Sequence, residues 1–461
     1  MNWGAVDDID RTAKILIDSG KVGDDREARR YLEGLVLQIA VGPEIEHDPA
    51  AQAALATVVN TGQRAYRGGV HVRLDLDPIL STGWTADATA SQIVTRYAGT
   101  VVERLADERP TLVIGRPEAA VGKPVLHLTW NGWSGGVVQS SDDVHCGSGI
   151  VPAGILAAAL GISETFQQQL GAVVPGRRDV GISLWAPDLD WRAEDAIGPP
   201  LLYLPAALWL LGLGHLGQAY AWTLGMLPYA KPSDVHVGLV DFDVIVKGNT
   251  ATQLLMSDND VGRRKTRTVA AALDDLGFTT RIVERAFDQN FHPVPHGTPA
   301  RNEPTIALAG FDDIEPRRSL GNAGFARIVD AGLGTGPVEY LDMVLHTFPA
   351  AKDPADAFPD DPRRPRPLGD AYEAEIARRV KAGTEATAAR CGMLDIAGVT
   401  VGASFVGTFA STLVVADILR LLHCGGNYSV IAVDLRNPGG IRAIPNSAPG
   451  DFVAPAHTLV R

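Results

Sequence analysis

Residues 208–241, LWLLGLGHLGQAYAWTLGMLPYAKPSDVHVGLVD, decide the fold of this chain. An apolar strand pattern runs into the glycine-rich turn Gly212-x-Gly214-x-x-Gly217, and a helix pattern and a second strand pattern follow. Glycines permit a tight turn and let backbone N–H groups approach a phosphate at the positive end of a helix. Asp241 lies 24 positions beyond Gly217, where a carboxylate accepts hydrogen bonds from ribose hydroxyls. The segment therefore predicts a nucleotide-binding βαβ unit, although a close-packed turn that binds nothing gives the same letters.

Strand and helix patterns continue to alternate on both sides of this segment. In residues 201–461 the alternation predicts an α/β fold with a doubly wound, Rossmann-like parallel sheet. Residues 47–200 alternate in a similar way but lack a phosphate loop, so they are interpreted as a degenerate, related half. Residues 1–46 are predicted to form a charged helical segment, and the stretch 349–370, rich in Pro and charge, a mobile loop.

A faint internal repeat supports the relationship between the halves. Cys146-Gly147 precedes VPAGILAAALGISETF, and Cys391-Gly392 precedes VGASFVGTFASTLVVADILRLL, so that each Cys-Gly pair comes before a helix of small residues. The halves are therefore interpreted as divergent copies that pack as a pseudo-dimer within one chain. A homodimer of whole chains is left open.

Composition disfavours several functional classes. The 461 residues include 41 Lys+Arg and 54 Asp+Glu, and the net charge of −13 disfavours binding to nucleic acid or to anionic membranes. Three cysteines without a CxxC pair cannot build a disulfide framework or a structural zinc site, which favours a cytoplasmic location. The N-terminus lacks a signal-peptide pattern. The apolar stretches 201–227 and 396–416 contain or run into polar residues, so we interpret them as buried core and expect no membrane span.

The residues after the turn distinguish between the chemistries that use it. The string DFDVIVKGNTATQLLMSDNDVGRRKTRTVAAAL, residues 241–273, resembles the ThiF/MoeB-type adenylyltransferases and the ubiquitin-activating enzymes. In that family an acid-x-acid pair is followed by Asn and Gln, and then by a Gly-x-x-Lys that opens a helix. The matching positions are Asp241, Asp243, Asn249, Gln253, Gly262 and Lys265.

Two later segments extend the resemblance. AGFDDIEPRR, residues 309–318, is similar to the stretch that carries the family's magnesium-binding acid, and Asp312 falls on that acid. Cys391 resembles the thioester- or persulfide-forming cysteine that many members carry before their last helix. The three segments lie in the family's order and span residues 204–437, about half of the chain.

The resemblance implies an ATP- and Mg²⁺-dependent enzyme that adenylates the C-terminus of a ubiquitin-like protein, forms a thioester at Cys391 and passes the modifier to a conjugating enzyme. Lys265 and a Mg²⁺ on Asp312 would place positive charge beside the triphosphate. Among the members of this family, the chain most resembles the activating enzymes of bacterial, antiphage-type conjugation operons, since it is short. The implied nucleotide contacts are Gly212, Gly214, Gly217, Asp241, Asp243, Asn249, Gln253 and Lys265.

The chain departs from the family at two arginines. Thr252 occupies the position at which ubiquitin-activating enzymes carry a phosphate-contacting arginine, and Arg263 or Arg264 are candidates to compensate. The N-terminal Tyr-x-Arg-Gln motif that supplies a further arginine from a partner domain is missing. The donor of that second arginine is therefore unassigned from the sequence.

The three cysteines receive different interpretations. Cys391 is predicted to be an exposed nucleophile near a helix N-terminus, where the helix dipole lowers a thiol pKa. Cys146 follows Asp142, Asp143 and His145 in what we interpret as a polar loop and not a metal site. Cys424 follows the final helix and is interpreted as structural.

Three alternatives stay open. An NAD(P)- or flavin-dependent oxidoreductase would use the same glycine turn but would have no use for Lys265, Asp312 or Cys391. A sulfur-carrier-protein adenylyltransferase is a variant of the leading hypothesis, disfavoured because the zinc cysteines common there are absent. A catalytically silent scaffold would explain Thr252 and the missing arginine motif.

Overall fold

The computed structural model describes residues 6–293, 305–358, 368–447 and 455–461. The chain begins with two helices, α1 (Arg11–Asp18) and α2 (Asp25–Glu33). The side chains of Asp10 and Asp24 accept hydrogen bonds from the first free backbone N–H groups of these helices, which fixes where each helix starts.

The first α/β half follows directly. Its strands are β1 (Leu37–Val41), β2 (Val70–Leu74), β3 (Thr100–Val101), β4 (Thr111–Ile114), β5 (Val125–Asn131), β6 (Ser134–Val138) and β7 (Val180–Ser183). Its helices are α3 (Pro49–Ala65), α4 (Ala90–Arg96) and α5 (Val151–Gln169).

The second half contains more elements. After β8 (Tyr203–Pro205), its strands are β9 (Ala207–Leu211), β10 (His236–Val240), β11 (Thr279–Val283), β12 (Ile306–Ala309), β13 (Arg327–Leu333), β14 (Asp342–Phe348), β15 (Tyr428–Asp434) and β16 (Arg442–Pro445). Its helices are α6 (His215–Met226), α7 (Lys265–Asp275), α8 (Ile314–Arg318), α9 (Pro354–Ala357), α10 (Asp370–Lys381), α11 (Ala386–Gly398) and α12 (Ser404–Leu422). Near the C-terminus, β17 (His457–Leu459) pairs with β8.

The two sheets share the order of seven strands, and the second has one further edge strand, β16. The strand order is β3-β2-β1-β4-β5-β6-β7 in the first and β11-β10-β9-β12-β13-β14-β15-β16 in the second. In both, five parallel strands are followed by antiparallel ones. The helices α3, α4 and α5 occupy the same connections as α6, α7 and α12. The predicted α/β fold with a related first half is therefore confirmed.

The halves meet through α3 and α5 of the first and α6 and α12 of the second, which share one hydrophobic core. Trp222 of α6 donates its indole N–H to the Thr57 hydroxyl of α3 at 3.0 Å, and Thr61 of α3 lies 3.4 Å from the hydroxyl of Thr408 of α12. Apolar side chains from α3, α5, α6 and α12 surround these contacts, so the polar groups are satisfied inside the core.

Some sequence predictions need adjustment. The central strand β1 lies inside the predicted helical segment 1–46, because LQIAV is fully buried and pairs with β2 and β4. Of the predicted loop 349–370, residues 359–367 lie outside the described residues, and Pro354–Ala357 forms the short helix α9. The stretch 201–227 forms β8, β9 and α6.

One helix of the described residues, α12, is long and apolar enough to cross a membrane. In the structure, 89% of its most apolar window is buried. A core helix of a folded domain has the same length and composition.

Candidate functional site

The glycine turn lies at the topological switch point of the second sheet. The connections that leave the neighbouring parallel strands β9 and β12 run in opposite directions, which opens a crevice at their carboxyl ends. Gly212 has a φ of +81°, and a Cβ on Gly217 would lie 1.9 Å from the Gly212 carbonyl oxygen. Gly214 precedes α6 and faces open space, so an anion has room at the start of that helix.

Asp241 lies beside the turn, as its spacing in the sequence predicts. Its Oδ2 accepts the N–H of Leu213 at 2.7 Å, and its Oδ1 accepts the N–H of Asp243 at 2.7 Å. Each carboxylate oxygen can accept a second hydrogen bond. Asp241 can therefore hold the turn and a ribose hydroxyl at the same time.

Lys265 and Asp243 form an ion pair next to Asp241. The Nζ atom of Lys265 lies 2.6 Å from Oδ2 of Asp243, and the backbone N–H of Lys265 donates to the Asp243 carbonyl oxygen at 3.1 Å. Lys265 is the first residue of α7, and its side chain is 8% exposed. Gly262 lies in the turn that leads into this helix. The acid-x-acid pair and the Gly-x-x-Lys motif are thus brought together.

Asp312 lies across the crevice, on the segment that follows β12. The preceding residues Gly310 and Phe311 come within 3.1 Å of the position that a Cβ on Gly212 would take, so this segment borders the turn. Asp312 is exposed. The predicted metal-binding acid therefore lies at the same switch point as the residues predicted to contact the nucleotide.

Arg11 joins the site from α1, and sequence reasoning missed it. Burial lowers the pKa of Arg11, while the carboxylates of Asp312 and Asp243 raise it, which places the guanidinium near both acids. Its Nη1 donates to the Thr400 hydroxyl at 2.8 Å. An Asp-Arg pair at a helix start is too common a signal to have identified this residue.

Asn249 and Gln253 lie behind the turn. The Asn249 side-chain oxygen accepts the Val246 N–H at 3.1 Å, within a 3₁₀ helix of residues 247–251. The Gln253 side-chain oxygen accepts from Gln218 Nε2 at 2.9 Å, and the same nitrogen donates to the Leu213 carbonyl at 3.0 Å. In this arrangement, Gln253 shapes the turn through Gln218.

Thr252, in the place of the family's arginine, is fully buried, and its hydroxyl has no hydrogen-bond partner in the described part of the chain. The two arginines that could compensate are engaged elsewhere. Arg263 pairs with Asp260 at 2.9 Å, and Arg264 donates to the Phe242 carbonyl oxygen.

In the first half, the carboxylates of Asp48 and Glu44 fill the position that corresponds to the glycine turn of the second half. Asp48 caps α3 by accepting from the N–H groups of Ala50 and Ala51, and its other oxygen accepts from the Trp130 indole at 2.9 Å and the Gly147 N–H at 2.7 Å. Glu44 accepts the N–H of Arg116 after β4 at 2.9 Å. Fixed negative charge therefore stands where the second half leaves space for an anion.

The three cysteines lie in different environments. Cys391 is exposed, as predicted, but it lies in the middle of α11 and not near a helix N-terminus. Burial first, and then the carboxylates of Glu44 and Asp48, raise the pKa of Cys146, although Arg116 lowers it. Cys424 is exposed just after α12.

Comparison with known proteins assigns both halves. The first half, residues 36–184, matches the BilD N-terminal domain, and residues 204–425 match the BilD C-terminal domain. The bacterial E1-like protein BilD of Collimonas sp. (strain OK412) is 37% identical over 434 residues, which cover 92% of this chain and 90% of that protein. The class is thus that of the bacterial E1-like proteins. Within it, the chain belongs to the BilD family.

Solved structures give a looser likeness. The crystal structure of E. coli MccB with succinimide is 13% identical, covers 72% of this chain and 97% of that one, and has a TM-score of 0.34. E. coli tRNA N6-threonylcarbamoyladenosine dehydratase, TcdA, in complex with AMP is 15% identical, covers 47% and 85%, and has a TM-score of 0.28. Superpositions this loose carry no argument about the site.

Proposed function

We propose that this chain uses ATP to adenylate the C-terminal carboxylate of a ubiquitin-like protein. A carboxylate oxygen attacks the α-phosphorus, the bond to the β-phosphate oxygen breaks, and pyrophosphate leaves. Negative charge gathers on the phosphate oxygens in this step, so catalysis needs fixed positive charge beside them. Lys265 and Arg11 are cationic side chains that border the crevice, and the start of α6 adds its dipole.

Mg²⁺ fits the donors that the crevice offers. Within the described ranges, no group of three or more His, Cys, Asp or Glu side chains could cage a metal. Mg²⁺ commonly takes one or two carboxylates, water and the substrate's phosphates, so a single exposed carboxylate such as Asp312 suffices. When bound there, the ion would neutralise charge on the triphosphate.

A thioester step would follow at Cys391. Its thiolate attacks the acyl carbon of the adenylate, the bond between that carbon and the phosphate oxygen breaks, and AMP leaves. Exposure of Cys391 on α11 supports this role. The acyl group would then pass to a conjugating enzyme, a transfer that we place in the cytoplasm.

One observation carries the proposal. The glycine turn, Asp241, the Asp243–Lys265 pair and Asp312 lie around a single switch point, although Asp241 and Asp312 are far apart in the sequence. An NAD-dependent oxidoreductase would need only the first two of these features, and a silent scaffold none of them.

The test is ATP–pyrophosphate exchange with the cognate ubiquitin-like protein. Asp312→Ala should reduce exchange on the order of a hundredfold or more, because the metal-binding carboxylate is lost. Asp313→Ala is the matched control, since the neighbouring Asp313 side chain makes no cap hydrogen bond to α8. Equal exchange by both variants would contradict the metal assignment, and tighter binding of NAD than of ATP would favour the oxidoreductase.

A further inference from the structure

His215 is a half-buried histidine inside the glycine turn, and none of the functions above uses it. It is the first residue of α6, between Gly214 and Leu216. Its ring points to the start of α12, where Nε2 lies 3.5 Å from the carbonyl oxygen of Ser404. His215 therefore connects the turn to a segment almost two hundred residues further along the chain.

The packing of this ring depends on a glycine in α12. A Cβ on Gly407 would lie 2.4 Å from Nε2 and 2.5 Å from Cδ2 of His215, closer than real contacts allow. Gly402 lies just before α12, and a Cβ added to it would lie 3.7 Å from Nδ1 of the same ring. Gly402 and Gly407 thus form a seat for the imidazole.

The segment that carries this seat, residues 400–407, also contacts α1. The N–H of Gly402 donates to the Arg11 carbonyl oxygen at 3.3 Å, and the Thr12 hydroxyl donates to the Gly402 carbonyl oxygen at 3.0 Å. The Arg11 guanidinium donates to Thr400, two residues earlier. A displacement of residues 400–407 would therefore displace both the backbone and the side chain of Arg11.

The charge state of the ring suits this position. Burial lowers the pKa of His215 to about 4, and repulsion from Arg11 and Arg64 adds to the effect, whereas the hydrogen bond to Ser404 opposes it. The ring is consequently neutral at pH 7. A neutral ring can pack beside Arg11 without repelling the guanidinium.

We infer that His215 is a positioning residue, which seats residues 400–407 against the glycine turn and thereby aims Arg11 at the acids Asp312 and Asp243. The inference rests on the proposed function only in its assumption that the crevice binds ATP. It adds that the turn and the N-terminal helix are coupled through one imidazole.

A double-mutant cycle on Mg-ATP affinity tests the coupling. His215→Ala and Arg11→Ala should each weaken ATP binding about tenfold, because a hydrogen-bonded charge is misplaced or lost. If His215 acts through Arg11, the double variant should bind no more weakly than Arg11→Ala alone. Additive losses, or an unchanged affinity of His215→Ala, would overturn the inference.

Gly407→Ala provides a second variant that tests the seat from the other side. The added methyl group would displace the His215 ring, and overpacking of this kind lowers the melting temperature even though alanine favours a helix more than glycine does. We expect the same tenfold loss of ATP affinity, measured at a temperature at which thermal unfolding shows the variant to be fully folded. Gly398→Ala in α11 is the control, since an added Cβ there meets nothing within 4 Å. Full affinity in Gly407→Ala would contradict the inference.

These outcomes are distinguishable from failure of the proposed function. ATP affinity is measured without any partner protein, so the cycle can be read even if pyrophosphate exchange fails. Normal exchange by the unmodified chain, together with additive losses of affinity, would reject the role of His215 and leave adenylation standing.

Discussion

The two halves of the chain share a strand order but treat the same corner of the fold in opposite ways. After β1, the start of α3 is capped by the carboxylate of Asp48, which accepts four hydrogen bonds from the protein itself. After β9, the start of α6 is preceded by Gly214, which offers no side chain and faces open space. In the first half, the Asp48 carboxylate occupies the start of the helix, whereas in the second half the start of α6 has room for an anion.

This difference teaches that the sheet folds equally with a helix start that is closed by a carboxylate and with one that is open. The carboxylates of Asp48 and Glu44 satisfy the backbone N–H groups that a phosphate would otherwise meet, so the first half stays folded with no ligand. The N-terminal helix α1, which precedes the first half, contributes Arg11 to the candidate site of the second.

Transfer of a carboxylate to the second half should abolish its function. Gly214→Asp gives α6 a carboxylate at its N-cap, and like charge should repel the triphosphate. We expect pyrophosphate exchange to fall on the order of a thousandfold while the protein stays folded, because aspartate is a favourable N-cap. Exchange assays and thermal unfolding check the two expectations.

Gly214→Ala is the uncharged control for that variant. Its Cβ would enter the same open space, so exchange should stay within about tenfold of the unmodified chain. If both variants lose exchange equally, then bulk and not charge excludes the nucleotide, and the comparison of the two helix starts fails.

Removal of the built-in carboxylate from the first half should cost stability and not activity. Asp48→Ala leaves the buried Trp130 indole and the Gly147 N–H without their acceptor. The expected loss is about 3 kcal/mol of unfolding free energy, from a lost cap and unsatisfied donors. Denaturant unfolding measures it, and ATP affinity should be unchanged.

Asp24→Ala measures what a lost helix cap alone costs in unfolding free energy, without the cost of unsatisfied buried donors. Asp24 caps α2 through the N–H of Glu27 alone, so its removal should cost only about 1 kcal/mol. Equal losses from the two variants would show that the additional contacts of Asp48 contribute nothing.

Cys146 and Cys391, which follow the same pattern in the two halves, should differ in reactivity. This is the smallest of the expected effects. Burial and two carboxylates raise the pKa of Cys146, so less thiolate is present at neutral pH than at an ordinary thiol. We expect iodoacetamide to label Cys391 roughly tenfold faster than Cys146, and the labelling of Cys146 to increase as the pH rises towards its shifted pKa. Mass spectrometry of labelled peptides follows both.

The proposed thioester would give this comparison of Cys391 with Cys146 a functional readout. Cys391→Ser should remove any thiol-labile conjugate with the ubiquitin-like protein and keep pyrophosphate exchange. Cys146→Ser should retain the conjugate. A conjugate that persists in Cys391→Ser would move the nucleophile to another cysteine.

The fold of the second half could be predicted from the sequence because its periodicity is local. The strand, turn and helix of residues 208–226 are contiguous, and the spacing to Asp241 is set by one βαβ unit. In contrast, β1 lies next to charged helices, and its five buried residues are too few to stand out there. The common strand order was only hinted at by the two Cys-Gly pairs.

The site divides in the same way. Asp243 and Lys265 could be found because the family's motif gives their spacing, and the ion pair between them follows from the turn that joins β10 to α7. Arg11, Glu44 and His215 act through long-range contacts that no spacing shows. Their partners are fixed only by the tertiary fold, since Glu44 meets Arg116 within the first half, His215 meets Ser404 within the second, and Arg11 of α1 meets Thr400.

The shared core of the two halves has a consequence for how the protein behaves at low concentration. An enzyme assembled from two separate subunits loses its partner on dilution, and any side chain supplied by that partner is lost with it. Here the element that carries Arg11 is tethered to the crevice by the polypeptide, at an effective concentration that dilution does not change. All the residues of the proposed site, Arg11 included, therefore belong to one polypeptide.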